Sequence, residues 1–463
     1  MLRPAGALLG QCGNILFTSP GAKTVLIHAD HRRRDAAASL LIGYYLKELG
    51  YNVVIGNRFL SRTWYYLFRP EVVLTTHPGT IFTADELAEE SKSCRFVLMH
   101  PESSGMIRDA MLEHMRGAST DAFTRHYTRV LTWGPVLKEW IVEAGLYSAE
   151  QVDVVGCARY DFYRSQERPP LMEQTLGAMS SFTGISTHDH GNPLKQINAG
   201  RQMRGIHFGR AGGYEDYLWA SAAYVRLFLE FLDVWCLELR RSIDFRPYTL
   251  EALEDHAFFR QRYQPYLRQD VDSPFPQWLT RRCANVFCYS SSVIESIISG
   301  VPYLTLQGLV EERLEYHQPR LELPETRGEI YDYTYKPATV AELVDLAMKA
   351  EVGDLPLRVR SEDSPGLRKL LWDYYGWPQA KPSSELVADA IHRLIETTPF
   401  NHSNTRWRLM QQVAKNPAKM WILSNKGRTW KTFSDTYFLP WHQGEKAYAW
   451  RAWKRLRAAE SVQ

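Results

Sequence analysis

Between Tyr289 and Pro302 the chain sets hydroxyls, a carboxylate and a glycine–proline stop in one short run: Tyr289-Ser290-Ser291-Ser292-Val293-Ile294-Glu295-Ser296-Ile297-Ile298-Ser299-Gly300-Val301-Pro302. An apolar stretch leads into Ser290, Ser291 and Ser292, and an amphipathic stretch follows. Hydroxyls and free N–H groups at the start of a helix suit a phosphate. The donors of the first turn lack intrahelical partners, and the helix dipole favours negative charge there. Glu295 falls about one turn beyond Ser291 on the same face, where it can accept hydrogen bonds from a ribose diol. Gly300 and Pro302 then end the helix. The same residues also read as an N-capped helix with a glutamate in its second turn. Nucleotide binding is preferred because strand, hydroxyls, glutamate and Gly-x-Pro occur together.

A second group, Asp30-His31-Arg32-Arg33-Arg34-Asp35, follows the apolar run Thr24–His28. Just beyond the carboxyl end of a strand is where an α/β sheet presents its catalytic groups. Asp30 suits a general base or a nucleophile, and Arg34 or Arg33 suits the stabilisation of developing phosphate charge. Asp35 is a further candidate, and the alternative is a solvated charged turn with Asp35 capping the next helix. Thr76-His77-Pro78-Gly79-Thr80 is a loop in a comparable place. Thr187-His188-Asp189-His190-Gly191-Asn192-Pro193 brings two histidines and an aspartate close together, but three adjacent positions cannot reach one ion without a strained loop, so no metal is expected. His188 and Asn192 are candidate donor or acceptor contacts, with a plain surface loop as the alternative.

The elements that must position these groups alternate along the chain. Strands are expected at Thr24–His28, Asn52–Gly56, Val72–Thr75, Arg95–Met99, Arg129–Thr132 and Val152–Val155. Helices are expected at Ala36–Leu49, Thr83–Ser91 and Pro135–Ala144. Such alternation implies βαβ units and a parallel sheet. Residues 164–175, with Pro169-Pro170, read as a linker. Strands at Ser181–Ser186, Ser242–Phe245, Val286–Tyr289 and Tyr303–Leu306 then form a second half. Its helices are Tyr214–Leu239, Val293–Ser299, Val340–Lys349 and Ser384–Thr397. The expected domains are 22–165 on the acceptor side, 176–398 on the nucleotide-donor side, and a basic aromatic extension at 401–463. Two doubly wound domains would face a cleft that holds the ligands.

The Ser…Glu…Gly-x-Pro run resembles the donor-nucleotide motif of GT-B glycosyltransferases. More narrowly, the chain resembles the bacterial surface-carbohydrate biosynthesis proteins, relatives of the CMP-Kdo and CMP-sialic acid transferases. Further marks are Asp30…Arg34-Asp35, Trp133-Gly134-Pro135, Val155-Gly156-Cys157-Ala158-Arg159-Tyr160-Asp161, Phe245-Arg246-Pro247-Tyr248, and Ser383-Ser384-Glu385 with Ala388 and Ile391. The resemblance spans most of residues 24–395. It implies two Rossmann-like GT-B domains, a nucleotide sugar as substrate, no separate cofactor and no metal. It makes Gly134 and Arg159 candidate contacts, and Glu102 a candidate base or acceptor-binding group in His100-Pro101-Glu102-Ser103-Ser104-Gly105. His100 is a candidate for a proton or phosphate contact there. The family turn has histidine where this chain has Tyr248, so Arg246 is expected to supply the positive charge that Tyr248 cannot.

Length and composition fit this class. The 463 residues are 45% hydrophobic, enough for more than one core. No run reaches the roughly 20 apolar residues of a membrane helix, and no secretory leader is apparent, so a cytoplasmic protein is expected. The six cysteines are scattered, without C-x-x-C. No G-x-G-x-x-G, P-loop or G-x-S-x-G occurs, which removes support for dinucleotide oxidoreductase, kinase and α/β-hydrolase readings. From Asn401 onward there are 12 Lys/Arg against 3 Asp/Glu, with six of the 14 Trp, whereas the preceding residues carry a net charge of −6. That asymmetry argues against a general nucleic-acid binder and for one localised anionic contact, such as the cytoplasmic membrane face. Packing of the Trp side chains on the body is the alternative. A glycosyltransferase acting on a glycan or lipid-linked acceptor is the leading function. A nucleotide-sugar 2-epimerase-like isomerase and a non-catalytic scaffold of polysaccharide assembly are the alternatives.

Overall fold

Apolar runs at regular spacing in the first third of the chain become the strands of one sheet. The computed structural model describes residues 15–16, 18–19, 21–29, 32–57, 60–99, 108, 111–112, 123–164, 167–180, 214–248, 251, 256–271, 273–287, 290–313, 328–397 and 443–460. Two units emerge, one of residues 1–102, 111–165 and 372–463, the other of residues 103–110 and 166–371.

In the first unit the elements run β1 (Ile15–Leu16), β2 (Thr24–His28), α1 (Arg32–Glu48), β3 (Asn52–Gly56), α2 (Ser61–Phe68), β4 (Val72–Thr75), α3 (Ala84–Glu90), β5 (Arg95–Met99), β6 (Tyr127–Thr132), α4 (Pro135–Glu143) and β7 (Val152–Val154). The sheet order is β1-β3-β2-β4-β5-β6-β7, parallel throughout except for β1, which runs antiparallel to β3. Every residue of β3 and β4 is buried. Such strands read as unbroken apolar runs rather than alternating ones, as in a sheet covered on both faces. The chain reverses its direction of sheet growth between β2 and β4, so the carboxyl ends of those two strands form this unit's topological switch point.

The second unit contains β8 (Thr175–Met179), α5 (Tyr214–Leu232), β9 (Ile243–Arg246), α6 (Ala257–Tyr263), β10 (Leu267–Gln269), α7 (Phe275–Thr280), β11 (Arg282–Phe287), α8 (Ser292–Ser299), β12 (Tyr303–Thr305), α9 (Gln307–Arg313) and α10 (Val340–Glu351). Its all-parallel sheet is ordered β10-β9-β8-β11-β12, with the switch point between β8 and β11. Arg282 ties three strands together: its guanidinium reaches Asp244 on β9 and Thr175 on β8, and its Nε donates to the Trp278 carbonyl at 2.9 Å. Burial lowers this guanidinium to about 10. The core gathers Phe228, Phe231 and Trp235 from the α5 segment with Phe245, Val286 and Leu304 from the sheet.

The chain then returns. Helix α11 (Pro365–Tyr375) runs through the boundary at 371/372, and α12 (Ser383–Thr397) and α13 (Gln443–Glu460) belong to the first unit. Val387, Ile391 and Leu394 of α12 and Tyr448, Ala452 and Leu456 of α13 complete the core begun by β2 and α1. The expected architecture of two doubly wound α/β units with a helical C-terminal extension is thus present.

Several expectations need correction. Sequence position alone grouped Ser384–Thr397 with the second unit; its apolar stripe instead packs against α1. The first strand of the second unit is Thr175–Met179, beginning at the last residue of the expected linker and ending before the expected strand, because Thr175-Leu176-Gly177-Ala178-Met179 is too poor in β-branched residues to stand out. The expected strand Ser181–Ser186 lies outside the described residues. Helix α1 begins at Arg32 rather than Ala36, since arginines propagate a helix well. The long helix at 214–239 is α-helical only to Leu232 and closes as a π turn over Asp233–Glu238.

Candidate functional site

At the switch point of the second unit, β8 ends at Met179 with Ser180 directly after it, and β11 leads toward Ser290 at the start of α8. Ser292 Oγ lies 3.8 Å and Asn285 Nδ2 3.4 Å from Met179 Sδ, so the serine turn stands directly beside the end of β8. The Ser290 hydroxyl accepts from the Ser292 amide at 3.1 Å, and the Ser290 amide donates to the Tyr331 hydroxyl at 3.0 Å. Ser291 is the residue before α8 and makes no side-chain capping bond. Glu295 is buried in the first turns of α8. Gly300 closes the helix in the left-handed conformation (φ 73°), and its carbonyl accepts from Arg168 Nη1 at 2.6 Å. The geometry therefore brings Ser290, Ser291, Ser292 and Glu295 to one strand-to-helix junction at a sheet's carboxyl edge.

Arg246 and Tyr248 lie at the same edge, at the end of β9. The buried Arg246 guanidinium donates to the carbonyls of Ser273 at 2.8 Å and Asp270 at 3.5 Å and stands 5.7 Å from the ring of Phe275. These contacts fix it to the loop after β10. The Tyr248 amide donates to Ser180 Oγ at 2.9 Å. Ser180 Oγ in turn donates to Glu251 Oε2, which stands 2.9 Å from His256 Nε2. Ser180, Glu251 and His256 are all fully buried. None of the three had been expected from sequence; the signal was only that Glu251 and His256 trail the Arg246-Pro247-Tyr248 turn.

In the first unit, β2 ends at His28, whose Nδ1 lies 2.8 Å from Ser61 Oγ on α2. Asp30 lies outside the described residues. Arg34 is in the first turn of α1, its side chain outside the described part, and Asp35 is buried in that turn, where a carboxylate favours the helix dipole. Asp35 is thus inside the helix and not its cap. Across the switch point, Thr75 and Thr80 hydroxyls close the His77 loop by donating to the His77 carbonyl at 3.2 and 2.9 Å. His100, Glu102, His188 and Asn192 lie outside the described residues.

Gly134 and Arg159 sit elsewhere in the first unit, at a crossing of three chain segments. A Cβ on Gly134 would stand 2.1 Å from the Asp373 carbonyl oxygen, and one on Gly376 2.0 Å from that of Trp133. Arg159 stacks over Trp133 at 5.2 Å. Asp161, two residues on, is wholly buried and accepts from the Ser383 amide at 2.8 Å, the Ser384 amide at 2.7 Å and the Ser384 hydroxyl at 2.6 Å. Arg164 Nε lies 3.3 Å from it. Burial pushes the Asp161 carboxyl up, against the pull of Ser384, Arg164 and Ser383. The sequence marks at 133–135, 156–161 and 383–385 therefore meet: Trp133 packs on Arg159 and Tyr160, and Asp161 caps the start of α12.

The last helix lies along α1. Tyr448 stacks on Phe162 at 5.0 Å, Trp450 and Trp453 stack on each other at 4.5 Å beside Tyr44, and Arg457 pairs with Glu48 at 3.3 Å. Residues 401–442 lie outside the described part. Among the described residues no group of three or more His, Cys, Asp or Glu is placed to hold a metal ion, and no helix is long and apolar enough to cross a membrane.

No family model and no curated protein matches this chain. Among solved structures it is similar to the Methanocaldococcus jannaschii UDP-GlcNAc 2-epimerase in complex with UDP-GlcNAc and UDP, at 11% identity and a TM-score of 0.44, covering 80% of this chain and 99% of that one. It is similar to S. aureus MnaA with UDP, at 11% identity and a TM-score of 0.46, covering 82% and 100%. A variant of the wall teichoic acid polymerase TagF is similar at 12% identity and a TM-score of 0.49, covering 81% and 89%.

Proposed function

We propose that this protein is a glycosyltransferase that moves a sugar from a nucleotide-activated donor to a surface-glycan acceptor. The observation that carries the reading is the junction at β8 and β11, where Ser290, Ser291 and Ser292 open a helix that holds Glu295. A parallel α/β sheet binds its ligand outside the carboxyl ends at the switch point. Hydroxyls and helix-start donors suit the phosphate, and a carboxylate one turn in suits the ribose diol. Arg246, held by loop carbonyls, lends positive potential to this edge. Asp30 takes the proton of the acceptor hydroxyl or acts as nucleophile, and Arg34 steadies the departing phosphate. Asp35, His100 and Glu102 are the reserve candidates for these roles. The resemblance points to a CMP-linked 3-deoxy-ulosonic acid as donor.

The test is an assay with several nucleotide sugars, with and without acceptor glycan. Transfer requires nucleotide release only when acceptor is present. Interconversion of the donor sugar alone would establish a 2-epimerase type of isomerase instead, and neither activity would leave a binding component. Asp30→Asn is expected to keep nucleotide affinity and lower turnover by at least ~100-fold, the scale of a lost general base. Glu295→Ala is expected to weaken nucleotide binding by about 1–3 kcal/mol.

We also propose that the basic extension docks on the anionic inner face of the membrane. Trp450, Arg451 and Lys454 are exposed on α13, and Lys454 Nζ stands 5.2 Å over the Trp450 ring. Each cation near such a leaflet contributes about 1 kcal/mol. Full-length protein should co-sediment with anionic vesicles at low salt, and Arg451→Glu with Lys454→Glu should reduce this. Equal sedimentation with neutral and anionic vesicles overturns the idea.

A further inference from the structure

We propose that Ser180, Glu251 and His256 are positioning residues that preset the Arg246-Pro247-Tyr248 turn for the phosphate of a nucleotide, an inference that rests on the nucleotide reading of the same sheet edge. The Ser180 and Glu251 side chains close a ring of hydrogen bonds with the backbone of the turn. The Tyr248 amide donates to Ser180 Oγ, Ser180 Oγ donates to Glu251 Oε2, and the Glu251 amide donates back to the Tyr248 carbonyl at 3.1 Å. His256 Nε2 stands 2.9 Å from the same carboxylate oxygen, with its ring packed 5.4 Å from Phe245 on β9 and 5.9 Å from Phe259 on α6.

A glutamate fully out of water is expensive unless donors converge on it, and a sheet can end in an ordinary turn without one. Here the hydroxyl donor comes from Ser180, just after β8, and the imidazole of His256, the residue before α6, stands beside the same carboxylate, so the turn after β9 is held between them. Met179, the last residue of β8, and Ser180 after it also serve both arms of the site. Met179 Sδ meets Asn285 and Ser292 on the serine side, and Ser180 Oγ meets Tyr248 on the other. Moving Ser180 therefore moves the spacing between the arms. A group reacting or binding between them needs that spacing held to a fraction of an ångström.

Calorimetry on the full chain with CMP, CDP and UDP, and with cytidine and uridine as phosphate-free probes, tests this. Ser180→Ala is expected to weaken the bound nucleotide about tenfold while the nucleoside affinity stays within twofold. Glu251→Gln, which keeps an acceptor for Ser180, should retain more nucleotide affinity than Glu251→Ala. The melting midpoint of Ser180→Ala identifies any folding loss, since that change removes a single oxygen. Nucleotide affinity unchanged in Ser180→Ala, or an equal loss for nucleotide and nucleoside, overturns the proposal while leaving the nucleotide reading intact. A wild-type chain that binds none of the nucleotides overturns both.

Discussion

Among the described residues each unit buries a carboxylate that accepts from serine, Asp161 in the first and Glu251 in the second, and the two are used differently. Asp161 accepts two backbone amides and a hydroxyl from the start of α12. Glu251 accepts a hydroxyl from the end of β8 and faces an imidazole. In the first unit the donors belong to a helix that arrives from more than two hundred residues away, Ser383 lying 222 and Ser384 223 residues beyond Asp161. In the second they belong to the rim where the sheet presents its carboxyl ends. The same chemical device thus fastens the chain's return in one case and shapes a turn beside the candidate site in the other. What a buried carboxylate is for is decided by where its donors come from.

The strongest way to break this contrast is Asp161→Ala. It leaves the amide donors of α12 unpaired and takes the carboxylate away from Arg164, which keeps the Gln379 and Lys381 carbonyls, and a broken buried pair costs about 3–5 kcal/mol. Urea unfolding should show that loss, while nucleotide affinity of the folded variant stays that of the wild type. A cost under about 1 kcal/mol, near that of an ordinary N-cap, would mean that Asp161 is no latch. Gly134→Ala probes the same crossing without touching a charge. Its Cβ meets the Asp373 carbonyl, a backbone atom that cannot rotate aside. The expected cost is about 1–3 kcal/mol, the scale of overpacking. A neutral midpoint would show that the three segments can separate slightly and that the contrast rests on Asp161 alone.

Much of the first unit was legible because its strands are continuous apolar runs bounded by clear signals. The helix expected over Thr83–Ser91 is α3, and Thr83 and Glu86 cap each other at its start, with the Thr83 amide donating to Glu86 at 3.0 Å. The serine turn was legible for the same reason: strand, hydroxyls and Gly-x-Pro are adjacent in sequence and adjacent in space. What escaped was long-range. Nothing local tells that Asp161 will meet Ser384, or that Ser180 will reach Glu251, since each pair is formed by the packing of distant elements. The short β8 escaped because Gly177 and Ala178 carry little strand signal, although both are buried in the sheet's centre. The sequence marks Arg246 as the source of positive charge at its turn, but not the loop carbonyls of Asp270 and Ser273 that hold it, which no spacing reveals.

The interruption of the first unit by the second has a consequence for biosynthesis. A growing chain makes β2 to β7 early, but the apolar faces of α12 and α13 that cover α1 leave the ribosome only after all of residues 166–371. Until then Leu40, Leu41 and Tyr45 lack part of their cover, and exposed apolar surface of this kind is where incomplete chains aggregate or recruit chaperones. The second unit, continuous from 166 to 371 in its main part, has no such wait. The order of synthesis and the order of completion are therefore opposite: the unit that is begun first is finished last.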